Sequence, residues 1–68
     1  MTDDESAAHL GRLIRASEVR VSAQIVTLLA LAEAGFDTAE IEAALEHESE
    51  ALTALRRQQL MINETREP

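Results

Sequence analysis

The turn Gly35-Phe36-Asp37-Thr38 is the feature that most constrains the fold, because it divides the 68 residues into two halves of similar length and similar apolar period. Gly35 favours the left-handed conformation in which many helices end. Asp37, with Glu40 three residues later, has the spacing of a capping box at the start of a helix. A connection this short cannot run two helices parallel, so the chain is predicted to fold back on itself.

The predicted fold is all-α, an antiparallel two-helix hairpin with helices over about 5–34 and 38–63. The whole chain, 1–68, is expected to form one helical-hairpin domain with frayed ends at 1–4 and 64–68. Cysteine is absent, so no disulfide can staple the fold. A chain this short buries little of its own surface, and we therefore expect it to need a partner for stability.

Residues on both predicted helices follow alternating steps of four and three, which is the a/d seam of a heptad repeat. The seam consists of Leu10, Ile14, Ser17, Val21, Gln24, Leu28 and Leu31, then Ile41, Leu45, Glu48, Leu52, Leu55, Gln59 and Ile62. Closing the hairpin around Phe36 places Gln24 beside Glu48 and Ser17 beside Leu55. Polar groups at seam positions commonly specify register and oligomeric state, so Gln24 and Glu48 are predicted to do so here. The alternative is that Glu48 belongs to a buried carboxylate pair in a dimer.

A two-helix hairpin cannot enclose its own seam, and further apolar residues lie beside it. They are Leu13, Ile25, Val26, Leu29, Leu60 and Met61. An apolar stripe wider than a and d alone is typical of a four-helix bundle. We therefore expect two hairpins to form a homodimer, and the alternative is that one hairpin docks onto another protein.

Charge is distributed unevenly along the predicted hairpin. The stretch from Glu33 to Glu50 carries seven acidic residues and no lysine or arginine, whereas five arginines lie toward the open end, namely Arg12, Arg15, Arg20, Arg56 and Arg57. In an antiparallel pair of hairpins, the turn end of one (its tip) lies against the open end of the other (its base), and opposite charges meet. Parallel packing would bring like charges together. The predicted dimer is therefore antiparallel.

The pattern Gln24, Leu28, Leu31, Gly35 and Asp37-Thr38 continues into the second helix through Leu45, Leu52 and Arg56. Over residues 14–60 it resembles the pattern of a group of short, uncharacterised helical-hairpin proteins of rhizobia and other alphaproteobacteria. This resemblance implies a helical hairpin of bacterial origin and no particular activity. Glu48 departs from the pattern, because an apolar residue is usual there.

Neither histidine belongs to a convergent set of ligands. His9 follows Glu5 by four residues and His47 lies between Glu46 and Glu48, but a metal site needs three or four converging ligands. We therefore predict no metal and no other cofactor. The chain also lacks a Gly-rich elbow, an oxyanion nest and a cleft, so we predict no catalytic residues, no small-molecule substrate and no enzymatic activity.

The longest apolar stretch, Ile25 to Ala34, is interrupted by Thr27 and Glu33. It is far shorter than the roughly 20 residues of a membrane span. The first five residues include three acidic and no basic side chains, unlike the basic start of a signal peptide. We expect a cytoplasmic protein that does not enter a membrane.

These features predict a small, non-enzymatic protein–protein interaction or regulatory module that acts as a homodimer. The alternative is a nucleic-acid-binding regulator, since the layout resembles the Rop type of dimeric hairpin, which holds paired RNA loops on one face. Its basic patch would consist of Arg12, Arg15, Arg56 and Arg57. A net charge of −7 and the absence of lysine weigh against this alternative. A third possibility is that the acidic turn end mimics nucleic-acid phosphates.

Overall fold

The computed structural model describes residues 3–66, which form two α-helices, α1 (Asp3–Glu33) and α2 (Ala39–Arg66). The two helices pack along each other as a hairpin, and no strand occurs within this part of the chain. The all-α prediction and the helical hairpin are therefore confirmed. Helix α1 begins two residues before the predicted start, and α2 continues three residues beyond the predicted end.

The predicted frayed ends are helical wherever the structure describes them. Asp3 and Asp4 belong to α1, and residues 64–66 belong to α2. Residues 1–2 and 67–68, which complete the predicted frayed ends, lie outside the described residues. Acidic side chains in the first turn of α1 favour an early helix start, because the helix dipole and the unpaired N–H groups attract negative charge.

The turn has the left-handed glycine that the sequence predicts, whereas the capping-box hydrogen bonds between Asp37 and Glu40 do not occur among the described residues. Gly35 has a φ of 82°, and the N–H groups of Gly35 and Phe36 donate to the carbonyls of Ala32 and Leu31 at 3.1 and 3.0 Å. This pair of hydrogen bonds is the Schellman motif, which satisfies the last carbonyls of a helix. The Asp37 carboxylate accepts from the N–H of Ala39 at 3.0 Å and so caps the start of α2.

The buried core is small and lies between the middle and the open end of the hairpin. Leu10, Ile14 and Leu52 are buried, and the half-buried Val21, Leu55 and Ile62 pack against them. Ser17 lies among them and is 1% exposed. The seam residues nearer the turn, namely Gln24, Leu28, Leu31, Ile41 and Leu45, are only half-buried. One helix therefore covers the other well at the open half and poorly at the turn half.

The molecule is a rod one helix layer thick, with extents of 53 × 17 × 14 Å. Its radius of gyration is 15.7 Å, whereas a compact domain of this length has a radius of about 11 Å. Its accessible surface is 5291 Å², compared with roughly 4,200 Å² for a compact monomer of the same mass. A single chain thus leaves on the order of 1,000 Å² more surface in water than a compact fold would.

The apolar residues that lie beside the seam are all exposed in the single chain. These are Leu13, Ile25, Val26, Leu29, Leu60 and Met61. Val19 and Phe36 are exposed as well, although the seam pattern did not single them out. The apolar surface therefore extends well beyond the contact between the two helices.

Candidate interaction surfaces

A polar cluster joins the two helices in the middle of the hairpin. The Ser17 hydroxyl donates to Glu48 Oε1 at 3.1 Å, and Arg20 Nε donates to the same oxygen at 2.7 Å. Arg20 Nη2 also donates to Ser17 Oγ at 3.1 Å. The hydrogen bond from Arg20 lowers the pKa of the Glu48 carboxyl, partial burial opposes this shift, and the Ser17 hydrogen bond adds to it. Each member of the cluster therefore contacts the other two.

This cluster corrects the predicted polar layer of the seam. Glu48 was expected to lie beside Gln24, and Ser17 beside Leu55, but Glu48 instead accepts hydrogen bonds from Ser17 and Arg20. The buried Oε1 of Gln24 has no hydrogen-bond partner. Hydrogen bonds from a guanidinium to a carboxylate are about twice as strong as neutral ones, so Arg20 is a better partner for Glu48 than an amide. Arg20 was assigned only to the basic open end, and its position three residues after Ser17 is the signal that was overlooked.

One broad face of the hairpin carries a continuous open groove. Its larger part, of about 660 Å³, is lined by Ala8, Gly11, Arg12, Ile14, Arg15, Glu18, Arg56, Gln59 and Leu60. A second part shares Glu18 and Arg56 and continues toward the turn past Ser22, Ser49 and Thr53. The bond from Arg56 Nη2 to Glu18 Oε2, 3.0 Å long, spans the groove where the two parts meet. We call this side of the hairpin the groove face.

The structure brings together three of the four residues of the predicted basic patch. Arg12, Arg15 and Arg56 line the groove, whereas Arg57 does not belong to its lining. The Glu18 carboxylate lies among them and forms an ion pair with Arg56. The floor between these arginines is open, because a Cβ added at Gly11 would meet no atom within 4 Å. The base of the groove is thus cationic and has room for a side chain from another molecule.

The other broad face carries a separate, smaller groove near the open end. It is lined by Ser6, His9, Leu10, Leu13, Leu55, Gln58 and Ile62 and shares no residue with the groove face. Residues seven apart on a helix lie on the same side. Arg20, seven residues after Leu13, therefore lies on the same side of α1 as Leu13. By the same spacing, Glu48 lies on the same side of α2 as Leu55 and Ile62. We call this side the bridge face, because the Arg20–Glu48 ion pair crosses it.

The acidic side chains around the turn point into solvent. Those of Glu33, Asp37, Glu40, Glu42, Glu46 and Glu50 are exposed, and Glu48 is the exception because it is held by Arg20. Arg20 in turn lies near the middle of the hairpin rather than at its open end. The tip of the hairpin is therefore acidic and the base carries Arg12, Arg15 and Arg56, with one ion pair between the two regions.

The described residues contain neither a candidate metal site nor a helix that could span a membrane. No group of three or more His, Asp or Glu that could hold a metal ion occurs within residues 3–66. In the same part of the chain, neither helix is both long and apolar enough to cross a membrane.

In comparisons with protein-family models, curated proteins and solved structures, nothing matches this chain. The resemblance to the alphaproteobacterial group stays a prediction.

Proposed function

We propose that this protein is a small, non-enzymatic interaction module that works as a homodimer, in which two antiparallel hairpins form a four-helix bundle. The observation that supports this proposal is the uncovered apolar surface of the single chain. A rod that leaves on the order of 1,000 Å² of extra surface in water exposes about as much as one partner contributes to a standard protein interface, about 800 Å². Domains bury such surface by adding a second layer. A second hairpin supplies that layer.

The distribution of polar groups supports self-association over catalysis. The main polar cluster, Ser17, Arg20 and Glu48, is satisfied internally, and its one hydroxyl, that of Ser17, is 1% exposed and therefore out of reach of a substrate. The two grooves of the hairpin are open to solvent, unlike sites that bury most of a substrate's surface. Regulation through binding, either of its own copy or of a further protein, is the use that fits such surfaces.

Leu28→Asp tests the shared core. Leu28 is a half-buried seam residue in the turn half of α1, where the single chain covers it poorly. If a second copy completes the core there, the variant loses both its dimer and most of its helicity. Sedimentation equilibrium gives the molar mass, and far-ultraviolet circular dichroism gives the helix content. Ala30→Asp, at an exposed position of the same helix, is the matched control for the low helix propensity of Asp. A Leu28→Asp variant that stays helical and monomeric would contradict a shared core.

A second candidate function is nucleic-acid binding at the groove face. The observation that favours it is that Arg12, Arg15 and Arg56 line one groove, while Glu18 among them and the net charge of −7 oppose it. Binding through phosphate contacts weakens steeply as salt rises. Salt-dependent retention on RNA or DNA that is lost in Arg12→Ala with Arg15→Ala would support this function. Absence of retention at low salt would exclude it.

A further inference from the structure

A hairpin that is one layer thick has two broad faces, and a bundle of two hairpins buries only one face of each. Four lines of residues spaced by seven follow the groove face toward the turn. On α1, one line runs from Gly11 through Glu18 to Ile25. The other line on α1 runs from Arg15 through Ser22 to Leu29. On α2, one line runs from Arg56 through Ser49 to Glu42. The other line on α2 runs from Leu60 through Thr53 to Glu46. The turn half of the groove face therefore combines two large apolar side chains of α1 with two carboxylates of α2.

The two ends of the groove face are complementary in shape. Ile25 and Leu29, near the turn, are 42% and 60% exposed and project from the helix surface. At the base, the same side of α1 carries the small residues Ala8 and Gly11 beside Arg12 and Arg15, and a Cβ added at Gly11 would meet no atom within 4 Å. In an antiparallel pair, the large side chains of one copy meet the small residues of the other. Large residues packed against small ones interdigitate without voids.

The two ends are also complementary in charge. Glu42 and Glu46 are exposed at the turn end of the groove face, and Arg12, Arg15 and Arg56 line its base. Tip-against-base docking of two copies brings these opposite charges together at both ends of the bundle, since a two-fold axis repeats every contact. Exposed charge pairs are individually weak, so they select the orientation while the apolar residues supply the affinity.

The bridge face lacks both kinds of complementarity. Among the residues that line its groove, Leu13 is the one large apolar residue that is exposed, at 41%. The Arg20–Glu48 ion pair crosses its centre, and the Arg20 side chain is 57% exposed. Each face carries one ion pair between the helices, Arg56–Glu18 on the groove face and Arg20–Glu48 on this one, so the cost of removing an ion pair from water does not separate the two faces. The groove face is the better surface to bury because it combines large apolar side chains with opposite charges at its two ends.

We infer that the groove face is the docking surface for a second copy of this chain, with Ile25 and Leu29 of each copy packed over Ala8 and Gly11 of the other. This inference rests on the proposed homodimer and specifies which of the two faces forms it. The bridge face then stays exposed in the dimer, together with the Arg20–Glu48 pair.

The first experiment compares Ile25→Gln with Leu13→Gln. The two apolar residues are almost equally exposed, at 42% and 41%, but lie on opposite faces, so each substitution has a similar effect on the folding of one chain. The interface of a symmetric dimer contains Ile25 from both copies, so Ile25→Gln removes two apolar contacts. It should raise the dimer dissociation constant at least about tenfold. Leu13→Gln should leave it within about threefold. Sedimentation velocity over a dilution series gives both constants.

Gly11→Leu is a second variant whose effect does not depend on loss of folding. Leucine has a higher helix propensity than glycine, and the space above Gly11 admits its side chain, so the helix content should be kept or increased. The leucine would fill the site proposed for Ile25 of the partner. We expect the dissociation constant to rise at least about tenfold while the chain stays helical.

Charge reversal tests the orientation. A tip variant with Glu42→Arg and Glu46→Arg, and a base variant with Arg12→Glu and Arg15→Glu, should each dimerise more weakly than the wild type, because each places like charges together. An equimolar mixture of the two variants should dimerise as well as the wild type or better. In parallel packing, the wild type would already oppose like charges, and neither variant alone would weaken the dimer.

The outcomes separate this inference from the proposed function. A wild-type chain that dimerises, with equal effects of Ile25→Gln and Leu13→Gln or a larger effect of Leu13→Gln, would overturn the groove face and leave the homodimer standing. A dimer unaffected by Gly11→Leu would do the same. A wild-type chain that stays monomeric at millimolar concentration would overturn both proposals.

Discussion

The open half and the turn half of the hairpin use the same seam period but reach different degrees of burial. In the open half and at mid-length, Leu10, Ile14, Ser17 and Leu52 are buried. In the turn half, Leu28, Leu31, Ile41 and Leu45 remain half-buried, and Ile25, Val26 and Leu29 are exposed. An apolar period thus predicts which side of a helix faces its neighbour, but not whether one neighbour is enough to cover it.

The difference arises from the residues beside the seam. Residues 21–32 of α1 contain no charged side chain, so this segment is apolar or neutral around its whole circumference. A helix of that kind needs cover on several sides. The facing part of α2 offers cover on one side and is otherwise rich in glutamate. The open half of α1 instead carries Arg12, Arg15 and Glu18 away from the seam, so one partner helix buries its seam residues Leu10, Ile14 and Ser17 while Leu13 and Val19 stay exposed.

The largest expected effect compares Leu52→Ala with Leu45→Ala at one fixed chain concentration. Leu52 is buried against Leu10 and Ile14, so its truncation should cost about 2–4 kcal/mol. Leu45 is only half-buried, and its truncation should cost about 1 kcal/mol. Urea unfolding followed by circular dichroism gives both values. Equal costs would mean that the two halves are equally well packed.

A smaller effect is expected at the polar position of the turn half. Gln24 Oε1 is buried without a hydrogen-bond partner, so replacing the side chain with leucine removes an unpaired acceptor and adds apolar packing. Gln24→Leu should stabilise the hairpin by about 1 kcal/mol in urea unfolding. Gln59→Leu, at a half-buried seam position of α2, is the matched control and should gain less. A destabilised Gln24→Leu variant would show that the amide is satisfied in solution.

The smallest effect is the pH dependence that Glu48 contributes. Its pKa is lowered in the folded chain, chiefly by the Arg20 hydrogen bond, so its contribution to stability is present above the ordinary value of 4.5 and is lost as the pH falls through the lowered pKa. In Glu48→Gln, the melting temperature should fall less between pH 5 and about 2 than in the wild type. Glu50→Gln, which removes an exposed carboxylate two residues away, should show the same fall in melting temperature over this pH range as the wild type. Identical acid profiles for wild type and Glu48→Gln would show that the cluster does not form.

The sequence predicted the elements more closely than their mutual contacts. Gly35 and Asp37 determine the turn because left-handed geometry and helix capping are local properties of these residues. The predicted polar layer was wrong because closing the hairpin around Phe36 assumes one axial offset of the helices, and the short Ser17 side chain, seven residues before Gln24, reaches Glu48 only at a different offset. Arg20, which lies beside the seam, reaches Glu48 and displaces Gln24 as its partner.

By itself, the sequence determined two helices, the turn between them, the seam of each helix and the excess of apolar residues, since all of these follow from local propensity and period. Only the tertiary structure decided that Ser17, Arg20 and Glu48 form one cluster, that Gln24 lacks a partner and that Arg12, Arg15 and Arg56 share one groove. Such pairings depend on the axial offset and rotation of one helix against the other. Many combinations of these two quantities satisfy the same apolar period, and packing and hydrogen bonding select among them.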